Sequence, residues 1–233
     1  MRILLLGATG RVGQSVLQYA LQDGHELTVL VRSLDKLNEQ LLAYAEDLGG
    51  SSKPISAIDH SLPINEQIPG LHVIVGNALN HNDLYKALDG VQAVISTLNT
   101  DKTNTLSVST PIIAELMQKQ SIARIITVGT AGILQSRIET DTYRYESSES
   151  KRKSTRAAEE HRMMYETLRD SGLDWTVVCP TYLPDGEYTG VYRDEQDVLP
   201  EGGASISTGD TAYFTYQQLS DPRYIGHRVG LAY

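Results

Sequence analysis

Short apolar runs alternate with amphipathic stretches along most of the chain. Residues 3–6 form a continuous apolar run, the mark of a strand buried on both faces. Residues 11–22 follow with Val12, Val16, Leu17, Ala20 and Leu21 at helical spacing. Asp23-Gly24-His25 ends that helix, and 27–31 reads as a second strand. The alternation then repeats. A strand at 73–75 precedes a helix around 82–88, a strand at 93–96 a helix around 111–119, and a strand at 125–128 a long helix around 155–170. Residues 175–178 are again a strand. This order predicts an α/β fold of the Rossmann type, a parallel sheet wound on both faces.

Two segments break the rhythm. Residues 46–67 contain Gly-Gly-Ser-Ser-Lys-Pro and read as a long surface loop. Residues 134–154 are rich in Ser, Tyr and charge, have no clean period, and read as a mobile flap. After Pro184 the texture turns Gly-rich, with a last helix around 210–219. The prediction is a single domain over 1–233, with a Rossmann core at 1–180. Residues 181–233 would form a small C-terminal lobe that contributes to a substrate site. No repeat is visible at any fixed period.

Composition narrows the partners. The 233 residues carry 40% hydrophobic side chains, enough for a core, and a net charge of −9. That balance argues against a surface built for nucleic acid or anionic lipid. The lone cysteine, Cys179, excludes a disulfide within one chain and a multi-cysteine metal site. The six histidines show no His-x-His or His-x-x-x-His pair, so no metal is expected. The opening apolar run stops at Gly7, too short for a signal peptide, and no run approaches the roughly 18–20 residues of a membrane span. A cytoplasmic protein, monomeric or weakly dimeric, is the expectation.

The chemistry starts at Gly7-Ala8-Thr9-Gly10-Arg11-Val12-Gly13, between the first strand and the first helix. In such a turn one glycine permits the tight bend. Another lets backbone approach a pyrophosphate, and a third lets the helix pack against the strand. The helix N-terminus then offers N–H groups and partial positive charge to phosphates. With a second strand following, residues 7–13 are read as a dinucleotide cradle. That second strand ends Val31-Arg32-Ser33, where an NAD site would place Asp or Glu for the ribose hydroxyl. Arg32, with help from Arg11, favours a 2′-phosphate, hence NADP(H) over NAD(H).

The Gly-x-x-Gly-x-x-Gly spacing resembles the short-chain dehydrogenase/reductase superfamily. Val75-Gly76-Asn77-Ala78-Leu79 looks like that family's adenine-holding segment, with Asn77 where Asp is usual. Val94-Ile95-Ser96-Thr97-Leu98 looks like its fourth strand. The stretch from Asp170-Ser171-Gly172-Leu173-Asp174 through Trp175-Thr176-Val177-Val178-Cys179-Pro180 is similar to "SGLDYTIVRP" of the atypical, NmrA-like branch. Ile206-Ser207-Thr208-Gly209-Asp210-Thr211-Ala212 is similar to its "IS-x-x-DLA" element. Leu183-Pro184-Asp185-Gly186 with Tyr188-Thr189-Gly190-Val191-Tyr192, and Glu160-His161-Arg162-Met163, resemble segments of the flavin reductase/biliverdin-IXβ reductase type. The likeness covers nearly the whole chain. It implies that Asn77 and Ala78 border an adenine. It further implies that Thr97, Leu98, Asn99 and Gly129 line the cofactor, and that Thr130, Pro180, Thr181 and Tyr182 frame a nicotinamide.

The departures decide the chemistry. Alcohol-oxidising members use Tyr-x-x-x-Lys, the Lys lowering the pKa of the Tyr one turn away. The motif is absent, Tyr165-x-x-x-Arg169 is the nearest match, and the expected positions carry Ala157 and His161. Hydride transfer to a flavin, quinone or bilin needs placement more than an acid. Thr130 can orient a carboxamide or donate to a substrate, and Tyr182 can stack on a planar one, though a phenol with a reference pKa of about 10 is a poor acid. His161 reads as a buried helix residue, Cys179 as a small inert hydrophobe, and Lys151-Arg152-Lys153 with Arg156 as a solvated helix start or a lure for an anion. The expected activity is NADPH-dependent reduction of a small planar acceptor. The rival is a non-catalytic, NADP(H)-sensing regulator of the NmrA-like type. An epimerase-like enzyme is a weaker third reading, because the chain is short for that branch.

Overall fold

A computed structural model describes residues 1–48, 62–100, 102–150 and 154–233. The chain runs β1 (Arg2–Leu6), α1 (Arg11–Gln22), β2 (Glu26–Val31), α2 (Leu34–Leu48), β3 (Leu71–Val75), α3 (His81–Ala87) and β4 (Ala93–Ser96). It continues α4 (Thr105–Lys119), β5 (Arg124–Val128), α5 (Arg156–Arg169), β6 (Asp174–Pro180), β7 (Arg193–Gln196), α6 (Thr208–Gln217) and β8 (His227–Ala232). All eight strands share one sheet in the order β3-β2-β1-β4-β5-β6-β8-β7. Every pairing is parallel except β7 against β8.

Strand alternation feeds two cores. Ile3 and Leu5 point to one face of β1, with Val29, Ile126 and Val178 of neighbouring strands, and pack under α1, α2 and α6 through Val16, Leu37 and Phe214. Leu4 and Leu6 point to the other face, with Val94, Ile125 and Val177, under α3, α4 and α5 through Leu84, Leu116 and Met164. The strand order reverses between β1 and β4, so their carboxyl ends open a crevice at the switch point.

Several boundaries differ from the sequence expectation for physical reasons. Helix α2 was not expected, although Leu37, Leu41 and Tyr44 are buried at helical spacing and Ser33 accepts from the Lys36 N–H at its start. It overlaps the start of the predicted 46–67 loop. Residues 49–61 of that loop lie outside the described residues, and 64–66 form a short 3-10 turn with Ile64 buried. Helix α4 begins at Thr105, so Pro111 sits inside it and not at its first turn. The last stretch extends the sheet: β8 pairs with β6, and α6 packs on α1. The C-terminal lobe is thus an extension of the Rossmann layer.

The segment predicted as a mobile flap is a folded loop over its described residues. Gln135 bridges Tyr143, and the Arg144 N–H donates to the Leu134 carbonyl at 2.7 Å. Ser136 Oγ donates to Glu149 Oε2 at 2.6 Å, and Ser148 Oγ to Glu139 Oε1 at 2.9 Å. Residues 151–153 lie outside the described residues.

Candidate cofactor and acceptor site

The glycine turn is built from close approaches. Gly7 leaves β1 at φ +81, a left-handed conformation that favours glycine. A Cβ on Gly13 would lie 2.1 Å from the Gly7 carbonyl oxygen, so α1 can come this near β1 only without a side chain there. The same carbonyl accepts from the Gly10 N–H at 2.9 Å and from Thr97 Oγ1 at 3.1 Å, which ties the turn to the end of β4. Gly10 caps α1 with no side-chain hydrogen bond, and the first turn carries no acidic residue. Its leading N–H groups and partial positive charge are left for an anion.

Two cavities flank this helix end and share Gly10, Thr97, Leu98 and Asn99. One, of about 380 Å³, collects Gly7, Thr9, Arg32, Asn77 and Ala78, the residues expected from the sequence to border an adenosine. The other, of about 370 Å³, collects Arg11, Val12, Gly129, Thr130, Pro180, Thr181 and Tyr182. Every residue that the sequence nominates lines one or both, except Gly13, which acts by packing. The residues present fit a dinucleotide laid across the switch point.

Some roles change. Arg11 does not help Arg32. Its Nη1 donates to the Leu183 carbonyl at 3.1 Å and pairs with Asp185 Oδ1 at 2.9 Å, at the opposite end of the cleft. The basic neighbour of Arg32 is Lys36, in the first turn of α2, and it lines the same cavity. The sequence signal for it was present: Ser33 followed by an apolar helical period places Lys36 one turn after Arg32. Asn77 forms a turn of its own. Its Oδ1 accepts from the Leu79 N–H at 3.0 Å, and its N–H donates to Asp83 Oδ2 at 2.9 Å.

Thr130 follows β5 and caps a 3-10 turn, its Oγ1 accepting from the Gly132 N–H at 3.5 Å. Ala157 and His161, one turn apart on α5, both line the second cavity, with Thr130 and Tyr182, and His161 is buried. The two positions expected for a Tyr/Lys pair thus both face the cavity, carrying Ala and His. Tyr182 stands at the mouth, 65% exposed, with its carbonyl bonded to the Ile206 N–H. Cys179 lies fully buried behind the site, where desolvation pushes its thiol up to about 12, as an inert side chain requires.

A third cavity, of about 400 Å³, joins the second through Thr130, Ala157, Thr181 and Tyr182. Its remaining wall comes from Ala131 and Gly132, the 134–154 loop, the start of α5, and Gly203 and Ala204 of the C-terminal stretch. Among the described residues, no group of three or more His, Cys, Asp or Glu is placed to hold a metal ion. No helix among them is long and apolar enough to cross a membrane.

An uncapped helix end at a Rossmann switch point, with cavities on either side, defines a nicotinamide-dinucleotide-binding architecture of the kind oxidoreductases use. The chain belongs to the NAD(P)H-binding family, whose model matches residues 59–222. The glycine turn lies before that match. The protein YwnB of Bacillus subtilis (strain 168), whose function is uncharacterised, is 26% identical over 98% of this chain and 96% of its own. ChuY of Escherichia coli O157:H7, described as an anaerobillin reductase, superposes with a TM-score of 0.73 at 20% identity, covering 100% of this chain and 97% of its own. A candidate NADH-flavin reductase of Streptococcus pneumoniae TIGR4 superposes with a TM-score of 0.69 at 23% identity, covering 100% and 99%. These structures share the fold.

Proposed function

We propose that the protein is an NADPH-dependent reductase of a planar conjugated acceptor of the flavin, quinone or bilin type. The observation that carries this reading is the junction of the two cavities. Thr130, Ala157, Thr181 and Tyr182 line both the nicotinamide side of the cleft and the adjoining acceptor space. A dinucleotide bound across α1 would supply the hydride, and the acceptor takes its proton from water. The chain's own work is placement: the α1 N-terminus holds the pyrophosphate, Arg32 and Lys36 hold the 2′-phosphate, and the Tyr182 ring backs the acceptor. Ala157 at the position of the missing acid suits acceptors that need no protein proton donor.

The test is oxidation of NADPH, with NADH in parallel, by FMN, riboflavin, a bilin, simple quinones and a redox dye. Turnover that prefers NADPH and falls in Tyr182→Ala and Thr130→Val supports the reading. Tight NADPH binding with no turnover across the panel would overturn it in favour of a nicotinamide-sensing regulator.

A further inference from the structure

We infer that Asn77 sets the nucleobase selectivity of the cofactor site, and that this site takes hypoxanthine as well as adenine at the base end of the dinucleotide. The inference rests on a dinucleotide lying across the switch point, as in the reading above, and not on the reaction that follows.

Asn77 stands exposed just beyond the carboxyl end of β3 and lines the cavity that Arg32 and Lys36 line. Its backbone is fixed on both sides. Its N–H donates to Asp83 Oδ2 at 2.9 Å, and its carbonyl accepts from the Asn80 N–H at 2.9 Å. Gly76 lets Asp83 come this near, because a Cβ there would lie 2.8 Å from the carboxylate. The side chain then closes a turn of its own, with Oδ1 accepting from the Leu79 N–H at 3.0 Å. That bond decides the chemistry. A backbone N–H can meet only the oxygen of an amide, so the oxygen is turned into the loop and the polar atom left over is Nδ2. Nδ2 donates and cannot accept. An aspartate would close the same turn with one oxygen and offer the second as an acceptor. Asparagine keeps the turn and inverts the group presented.

The two purines differ at the edge such a group meets. Adenine carries a 6-amino donor beside an N1 acceptor, and hypoxanthine a 6-oxo acceptor beside an N1–H donor. Nδ2 complements the 6-oxo group and is mismatched to the 6-amino group. No described residue lining this cavity carries a carboxylate that could take the amino group instead. Asp83 lies outside the wall, and its Oδ2 is spent on the Asn77 N–H. Ala78, in the same wall, has an N–H that donates to no described residue, and a donor there suits N1 of adenine but not the N1–H of hypoxanthine. Each base thus finds one complementary donor at this edge, and neither finds two. Near-equal affinity follows.

The test measures Kd for NADPH and for its hypoxanthine analogue, reduced nicotinamide hypoxanthine dinucleotide phosphate, by nicotinamide fluorescence. It uses the full-length wild type and Asn77→Asp. In the wild type the two should bind within about threefold of each other. Asn77→Asp should move their ratio about tenfold or more toward adenine, because its second oxygen accepts from the 6-amino group and repels the 6-oxo group. The ratio is the readout, because a new negative charge near the 2′-phosphate weakens both dinucleotides alike. Adenine preferred by more than about threefold in the wild type, or a ratio that Asn77→Asp leaves unmoved, overturns the inference. Near-equal binding that shifts in Asn77→Asp, with no NADPH oxidation by any acceptor, keeps the inference and removes the reductase reading. NADPH oxidation with a firm adenine preference in the wild type does the reverse, and binding of neither dinucleotide overturns both.

Discussion

Replacing Gly13 by alanine sets two effects of opposite sign against each other. Alanine is the better helix former by about 1 kcal/mol, which favours the variant. Against that, the new Cβ would stand 2.1 Å from the Gly7 carbonyl oxygen and 2.7 Å from Thr97 Oγ1. The first contact is more than an ångström short of ordinary packing and involves backbone, so no side-chain rotation relieves it. The carbonyl cannot retreat without loosening its bonds to the Gly10 N–H and Thr97 Oγ1. Overpacking of this kind costs about 1–3 kcal/mol, and each weakened hydrogen bond about 1 kcal/mol more. The clash wins, and net destabilisation is about 1–4 kcal/mol. The helix end that would hold the pyrophosphate moves with it. Urea unfolding should show a lower midpoint at unchanged slope, and NADPH titration by nicotinamide fluorescence a weaker Kd. Gly24→Ala is the control. Gly24 has φ +72 but nothing within 4 Å, so only the left-handed penalty of about 1–2 kcal/mol applies. NADPH affinity should stay at the wild-type level in that variant. A Gly13→Ala protein as stable as the wild type, with unaltered NADPH affinity, would refute the argument.

Arg32→Ala and Lys36→Ala should each weaken NADPH by about tenfold or more while leaving NADH nearly untouched, read by parallel titrations; equal losses for both cofactors would remove the 2′-phosphate role. Asp210 is fully buried and accepts from Thr189, Gly190, Ser207 and the Tyr233 hydroxyl. Burial alone would raise its carboxyl, but these bonds outweigh it and hold the carboxyl below the ordinary Asp value. Its stabilisation is therefore present above an unfolded pKa of about 4 and lost as pH falls through the lower folded value. Asp210→Asn should unfold earlier in urea at pH 7 and lose less stability than the wild type between pH 4 and the acid transition. Cys179, fully buried with its thiol raised to about 12, should resist iodoacetamide at pH 8 in the native protein and react once unfolded, as read by mass spectrometry.

What the sequence revealed follows from where burial is two-sided. Strands β1, β2, β4, β5 and β6 lie inside the sheet, read as largely apolar runs with single threonines in β2, β5 and β6, and were legible almost to their ends; β8 lies inside too, but its His-Arg-Val-Gly-Leu-Ala has Arg228 and Gly230 within it and was not read. The glycine turn was legible because backbone geometry admits few alternatives at Gly7 and Gly13. Strand β7, Arg193-Asp194-Glu195-Gln196, has no apolar period because it is an edge paired only through its backbone to β8. The 134–154 loop is held by side-chain pairs far apart in sequence, such as Arg137 with Glu195 and Arg162 with Glu146, and such pairing leaves no local pattern. Arg11 was misassigned because sequence proximity to the glycine turn does not show which way a long side chain leaves the helix; here it leaves toward Asp185.

The edge strand β7 has a consequence for how copies of this chain meet. It ends the sheet with a run of polar and charged side chains already committed elsewhere. Arg193 binds the Glu201 and Tyr233 carbonyls, Asp194 the Tyr224 hydroxyl, and Glu195 the Arg137 guanidinium. A strand from a second molecule adding there would bring backbone against that charge and would have to break those ties. The sheet is thereby closed to strand addition along its β7 edge, by side-chain ties and not by a covering element.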